Sequence, residues 1–441
     1  MMNLKRWLSS SLLKRTVPFI LVGVVTIGLV IRFPDGQATA RASTPSNSPL
    51  DRAAIIHQAA LTVDSHIDWP IRQSFNPDFD AGVGHATGAP GSGQWDLARM
   101  ADGGLDAAFI SIFTPQRALT EEGYAEAATL ANQMIEWTEQ LASDYADKAA
   151  IALTPADAYR FEQAGKRALF LGMENGYPLG TDIGAVQAFY DQGIRYITLT
   201  HSKNNQLGDS STDEQQQWQG LSPFGEAVVH EMNRLGIMVD VSHVHDDTFW
   251  DVMRLTQAPI IASHSSARTV RDVPRNMDDT MLRAIKANGG VVQLCLLGDY
   301  IKAIAQSPER EAALAALAEE QAAWFRGDLS DVEVADLLAQ YRAINAQYPE
   351  VKPTVTDAMD HLDHMVAVMG IDHVGIGSDF DGGGGLADLE DVSQMLNITQ
   401  ALLDRGYTPD DIRKIWGDNL MRVFEAVIEV GNRLNQADPV G

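Results

Sequence analysis

Cysteine is almost absent from this chain: Cys295 is the only one in 441 residues. No intrachain disulfide can form and no zinc-thiolate cluster can be built, so any metal must sit on histidine and carboxylate groups. Basic residues are scarce as well, 33 lysines and arginines against 59 aspartates and glutamates, for a formal net charge of −26. A surface this acidic is repelled by phosphate backbones, which argues against nucleic acid as a partner. Aromatics are modest at 7%, yet apolar residues reach 45%, enough for a large core and too much for a disordered or collagen-like chain.

Long apolar runs are missing too, with one exception. Val17 to Ile31 is uninterrupted by charge and follows Lys5, Arg6, Lys14 and Arg15, the layout of an export signal. Ala38, Ala40 and Ala42 offer small-x-small cleavage sites. The run is shorter than the ~20 residues of a comfortable membrane span, but snorkelling and local thinning leave an uncleaved anchor through residues 17–31 as the alternative. The expected location is therefore periplasmic or otherwise extracytoplasmic, either soluble after cleavage or membrane-anchored. Residues 1–42 carry Lys5, Arg6, Lys14, Arg15, Arg32 and Arg41 against Asp35 alone. Their removal makes the body still more acidic, so it would not cling to an anionic membrane.

Residues 43–441 read as one domain. After a linker from about Thr39 to Pro49, short apolar or β-branched runs alternate with helical stretches, the pattern of parallel βα units. Eight runs are strand-like: Leu61–Asp68, Leu105–Phe113, Arg167–Glu174, Ile194–His201, Ile237–His243, Pro259–His264, Gly289–Leu296 and His373–Phe380. Eight closes a barrel, and about 250 residues or more is ordinary for one. The fold expected is α/β, a (β/α)8 TIM-like barrel. Residues 301–350 break the rhythm with an Ala-, Glu- and Gln-rich helical stretch between strands seven and eight. This insertion could serve as a lid, a homodimer contact or a solvated decoration.

Polar residues collect at the C-terminal ends of those strands. His66 and Asp68 alternate, so both would face the barrel interior. Glu174, His201, His243, His264 and Asp379 end other strands, and catalytic groups of such barrels come from that rim. Taken singly, His243 or His264 could be a hydrogen-bonded core residue, Glu174 a buried salt-bridge partner, and Asp379 or Asp381 a turn cap. Together they would strand buried charge unless a cation neutralised them. The other histidines, His57, His85, His230, His245, His361, His364 and His373, fall on helices, loops or strand starts and read as structural or solvated. Five ligands exceed the three of a mononuclear catalytic zinc site, whereas a carboxylate can bridge two ions roughly 3.5 to 4 Å apart. The expectation is two divalent ions bridged by Glu174, one held also by His66 and Asp68, the other by His243 and His264. With mixed N/O donors zinc is the first choice, and manganese, cobalt and iron stay open.

Several segments then acquire a common meaning: Asp64-Ser65-His66-Ile67-Asp68, Gly172-Met173-Glu174-Asn175-Gly176, Leu199-Thr200-His201, Asp240-Val241-Ser242-His243-Val244, Ser263-His264-Ser265-Ser266-Ala267, Arg275-Asn276, and Gly377-Ser378-Asp379-Phe380-Asp381-Gly382. In this order, from about residue 50 to 430, the chain resembles the membrane (renal) dipeptidases, amidohydrolase-like barrels that hydrolyse dipeptides at a binuclear zinc centre. The resemblance implies cleavage of dipeptides, including those with a C-terminal D-residue, by a metal-activated bridging water. It makes Glu174 the bridging ligand, His201 the group that steadies the scissile carbonyl oxygen, Arg275 the partner of the substrate carboxylate, and Asp379 the acid that handles the proton. Residue pattern alone does not choose Arg275 over Arg268 or Arg271. Where the family often places a substrate-contacting tyrosine, after strand seven, this chain reads Cys295-Leu296-Leu297. The alternative function is another metal-dependent amidohydrolase acting on N-acyl amino acids, lactams or cyclic amides. Cys295 reads as a buried strand residue rather than a nucleophile.

Overall fold

The apolar runs become strands because each is buried on both faces, by the barrel interior and by the helices outside. The computed structural model describes residues 49–437 apart from Pro90, Gly327 and Asp328; residues 17–31 and the alanines at 38, 40 and 42 lie outside the described residues. The strands are β1 (Val63–Ile67), β2 (Ala107–Phe113), β3 (Ala149–Ile151), β4 (Arg167–Glu174), β5 (Ile194–Thr198), β6 (Met238–Asp240), β7 (Ile261–Ser265), β8 (Val291–Cys295) and β9 (Val374–Gly377). They form one parallel sheet in the order β1-β2-β4-β5-β6-β7-β8-β9. The seam closes through a parallel bridge between Ile67 and Phe380. There the Asp68 amide donates to Phe380 O at 2.8 Å and the Asp379 amide to His66 O at 3.1 Å. All eight expected strands are present, most of them shorter than expected, while Arg167–Glu174 is unchanged and the sixth runs on to Ser265. The addition is β3, which pairs only with the first residues of β4 (Ala149 to Arg167, Ile151 to Leu169) before β5 takes over at Leu171.

Phe109, Phe170 and Tyr196 fill the barrel interior, and Phe424 of the helix Asn419–Ala437 packs edge-on against Phe109 and Phe170. Gly172 lies on the same inner face of β4, where a Cβ would come within 2.1 Å of the Tyr196 ring. That absent side chain lets a tyrosine stand inside the barrel and reach the centre above it. Outside, helices end where left-handed glycine stops them, as at Gly236 (φ 76°) before β6 and Gly289 (φ 83°) before β8.

The stretch after β8 folds as helices Gly298–Ile301, Pro308–Ala315, Ala318–Arg326 and Asp331–Gln347. Arg310 is buried within it and its Nη1 donates to Asn345 Oδ1 and Tyr348 O, both at 2.8 Å. The insertion is thus clamped by its own arginine. Among the described residues no helix is long and apolar enough to cross a membrane.

Candidate active site

Glu174 follows the alternation of β4, whereas His66 and His264 sit at register shifts in β1 and β7, and His201 and His243 lie just past the ends of β5 and β6. His66, Asp68, Glu174, His243, His264 and Asp379 are all buried, and only His201 is partly exposed. The Glu174 carboxylate stands in the middle. Its Oε2 lies 3.4 Å from His66 Nε2, which is itself 3.3 Å from Asp68 Oδ2. Its Oε1 faces the other way, 3.1 Å from His243 Nε2, 3.6 Å from His264 Nε2 and 3.7 Å from His201 Nε2. Donor atoms of His66, Asp68 and Glu174 lie within 4.8 Å of one another, as do those of Glu174, His201 and His243, and of His66, His264 and Asp379. Every site residue expected from the strand ends therefore converges on one place, with Glu174 common to two of these groups.

The donor set fits a divalent cation. His66 Nε2 and both Asp68 carboxylate oxygens are buried without a hydrogen bond, a costly state for polar atoms. His243 Nε2 and His264 Nε2 approach to 2.8 Å. Burial first, and then positive neighbours including Arg275, push both rings well below the ordinary histidine value, so each ring favours its neutral form, which can offer a lone pair to a cation. Glu174 is held well below the usual carboxylate range: burial opposes ionisation, but His66, His201 and His243 overcome it. Asp379 goes the other way, raised well above its ordinary value by burial and then by the charge of Asp68. Two carboxyls pushed apart in this way suit different roles, one a permanent anion and one a proton carrier.

The backbone is strained at the same spots. His243 (φ 69°), Asp379 (φ 61°), Asn175 (φ 73°) and Asp381 (φ 67°) are non-glycine residues in the left-handed region. Each costs on the order of 1 kcal/mol or more and turns the side chain or the following loop at a strand end.

Among the three arginines, surroundings distinguish one. Arg268 is engaged by both oxygens of Asp246, at 2.7 and 2.8 Å, and Arg271 reaches an exposed carbonyl, Asp299 O. Arg275 is buried beside the histidines. Its Nη2 donates to His264 O at 3.1 Å, its Nε has no partner, and its guanidinium lies 5.1 Å from the Tyr300 ring centre. Tyr300 thus brings an aromatic hydroxyl to the region after β8, a few residues later than the Cys295-Leu296-Leu297 segment. Cys295 is fully buried at the end of β8, its Sγ 3.9 Å from Asp379 Oδ2 and its thiol pushed up by burial.

Sequence reasoning assigned no role to Asp64 and Asp240, which lie buried beneath the ligands. Asp64 Oδ1 accepts the amides of His66 (3.0 Å) and Ser378 (2.9 Å), and Asp240 Oδ1 accepts those of Ser242 (3.0 Å) and Ser263 (2.8 Å). Each carboxylate ties one strand end to the next where the ladder opens. Burial pushes Asp64 up to about 6. The signal for both was an aspartate in a strand predicted to be buried, which needs partners to be buried at all. Tyr196, 2.8 Å from His66 Nδ1, had no such signal.

The remaining histidines with resolved partners serve the scaffold. His57 meets Gly103 O and Thr399, His361 meets Ile301 O and the Ala267 amide, His364 meets Asp279, and His373 meets Gly290 O. His361 and His364, one helical turn apart, bind different partners.

Residues 50–438 match the model of the membrane dipeptidases, peptidase family M19. The dipeptidase tcpJ of Claviceps purpurea is 31% identical over 373 residues, 83% of this chain and 77% of that protein. The crystal structure of the probable dipeptidase PvdM of Pseudomonas aeruginosa is 30% identical, with a TM-score of 0.72 over 87% of this chain and 99% of its own. A metallo peptidase of Rhodobacter sphaeroides, liganded with a phosphinate mimic of the dipeptide L-Ala-D-Ala, shares the fold at 23% identity and a TM-score of 0.66, over 83% and 99%.

Proposed function

Because the chain belongs to the membrane dipeptidase family and is a metallo-dipeptidase, we propose that it hydrolyses dipeptides, those with a C-terminal D-residue among them, at a centre of two zinc ions bridged by Glu174. The observation that carries this reading is the two-sided environment of that carboxylate, Oε2 toward His66 and Asp68, Oε1 toward His243 and His264. Ions held there would polarise the scissile carbonyl and make a bridging water acidic enough to be the nucleophile near neutral pH. The chain's own groups account for the rest. The carboxyl of Asp379, raised by its surroundings, takes the proton of the nucleophile and returns it to the leaving amine. His201 is partly exposed and lowered by burial, with Nδ1 2.9 Å from the Ser202 hydroxyl. A proton on its Nε2 then faces the carbonyl oxygen as it becomes an oxyanion, worth roughly 3 kcal/mol by analogy with other such donors. Arg275, with an unpartnered buried Nε beside Tyr300, receives the free carboxylate of the substrate.

We read residues 1–42 as an export signal or anchor placing residues 43–441 outside the cytoplasm; fractionation and N-terminal sequencing of the expressed protein test this. For the activity, protein expressed from about residue 43 is offered L,L and L,D dipeptides, with and without chelation followed by zinc, and the same dipeptides amidated at the C-terminus. Cleavage that chelator abolishes, zinc restores and amidation blocks is the expected result. Turnover indifferent to amidation would move the assignment to an amidohydrolase without carboxylate recognition, and turnover indifferent to chelator would remove the metal centre from the reaction.

A further inference from the structure

We infer that Asp240, acting through the hydroxyl of Ser263, fixes the ring proton of His264 on Nδ1 and so keeps Nε2 bare for a cation. This rests on the reading of His264 as a metal ligand and adds a positioning residue to it. Four donors converge on Asp240. Its Oδ1 accepts the amides of Ser242 (3.0 Å) and Ser263 (2.8 Å), and its Oδ2 accepts the hydroxyls of Thr198 (2.5 Å) and Ser263 (2.6 Å). That uses the full acceptor capacity of a carboxylate.

The direction of the next bond follows from proton counting. Ser263 has one hydroxyl proton, and an oxygen 2.6 Å from a carboxylate oxygen must supply the hydrogen between them. The Ser263 oxygen, 2.9 Å from His264 Nδ1, is then left only to accept. Nδ1 must therefore carry the hydrogen, and a neutral imidazole with hydrogen on Nδ1 has none on Nε2. A ring that is to hold a cation through Nε2 must be this neutral form. The nearby Ser242 hydroxyl does not compete: it accepts the His264 amide at 3.0 Å and lies 3.4 Å from Ser263 Oγ. Nε2, so bared, points at Glu174 Oε1 and His243 Nε2. Other ligands lack this arrangement. His243 Nδ1 is buried with no partner, and His66 Nδ1 meets the Tyr196 hydroxyl, which can donate or accept.

The inference makes an unusual demand on mutants. Asp240→Asn keeps an oxygen for the two amides, which can only donate, and therefore turns its NH2 toward Ser263. The serine oxygen then accepts from the amide, its hydrogen swings to His264 Nδ1, and the ring proton moves to Nε2, where it blocks the cation. Removing the serine as well should relieve the block, because nothing then dictates the tautomer. The experiment is zinc titration by calorimetry of chelator-stripped full-length D240N, S263A, the D240N/S263A double variant and H264A, with thermal melts of the metal-free proteins as the folding control. D240N is expected to lose at least about tenfold in affinity at one site, S263A clearly less, and the double variant to recover to the S263A level. An ordinary structural role predicts a double variant as weak as D240N or weaker, and that result, or D240N within twofold of wild type, would overturn the inference. H264A reports separately: two intact zinc sites in H264A remove the ligand reading itself, whereas a lost site there with unchanged D240N removes the relay alone. Should D240N not fold, long-range proton–nitrogen correlation on 15N-histidine-labelled metal-free wild type reads the tautomer directly. The signal lost in H264A must show hydrogen on Nδ1; hydrogen on Nε2 refutes the relay.

Discussion

Asp379 occupies a position where charge and protonation are in tension, fully surrounded by protein and beside Asp68. Asp379→Asn preserves shape and hydrogen-bond reach but cannot shuttle a proton. Its kcat is expected to fall at least about a hundredfold while metal analysis shows unchanged zinc content; kcat within tenfold of wild type would remove Asp379 from proton transfer. Arg275→Gln is expected to raise KM for free dipeptides by about tenfold or more and to narrow the gap between free and amidated substrates, read from initial rates on both. At this scale the candidate ligands were legible because each falls at or just past a strand end, although register shifts and left-handed turns, rather than alternation alone, aim several of them. Arg275 needed the family resemblance, since three nearby arginines look alike until one sees that Asp246 occupies Arg268. Asp240 offered only the hint of a buried aspartate and Tyr196 none, because their role lies in bonds to other strands, which no local pattern encodes.

The helix Pro49–Ala59 is hydrogen-bonded to the scaffold through the buried imidazole of His57. His57 Nε2 donates to Gly103 O at 2.9 Å, its Nδ1 accepts from the Thr399 hydroxyl at 2.8 Å, and that hydroxyl accepts from Trp416 Nε1 at 2.8 Å. Burial lowers the affinity of this ring for a proton. An unfolded chain protonates His57 as pH falls through about 6.5 whereas the folded chain resists, so the unfolded state binds more protons below that value. The stability His57 contributes is thus fully present above about pH 6.5 and lost as pH falls toward its lowered folded value. Calorimetric melts of metal-free protein should show a smaller loss of Tm between pH 7 and pH 5 in His57→Gln than in wild type; equal losses would exclude this ring as a cause. The insertion offers a second test. Arg310→Ala removes the buried clamp to Asn345 and Tyr348, and limited proteolysis should then cut within residues 307–350 while the Tm of the barrel stays put. Elements were the most readable scale, since eight apolar runs bounded by turn glycines could hardly be anything else. The exception, β3, has only three residues and exists solely through its pairing with β4.

For the whole molecule, the proposed strand-end ligands would tie stability to metal. Unpaired buried donors such as His66 Nε2 and the Asp68 oxygens penalise the metal-free fold, and a bound cation stabilises it by mass action. Chelation should lower Tm by several degrees and zinc should restore it; a Tm indifferent to both would mean that these donors hold no cation. The barrel could be inferred from the count of strands and the acidic solvated surface from the charge. What neither count nor charge contained was the seam, because which strands become neighbours is decided by closure rather than by any segment.

That seam has a consequence in time. His66 and Ser378 meet across it although 312 positions separate them, and the last barrel strand delivers Asp379 against the first. A chain stopped between residues 265 and 378 has all the candidate histidine ligands but neither a closed barrel nor Asp379. Hydrolytic competence therefore arrives abruptly, only once residue 380 of 441 has been made, and products truncated before it should be unable to cut peptides however many ligands they retain.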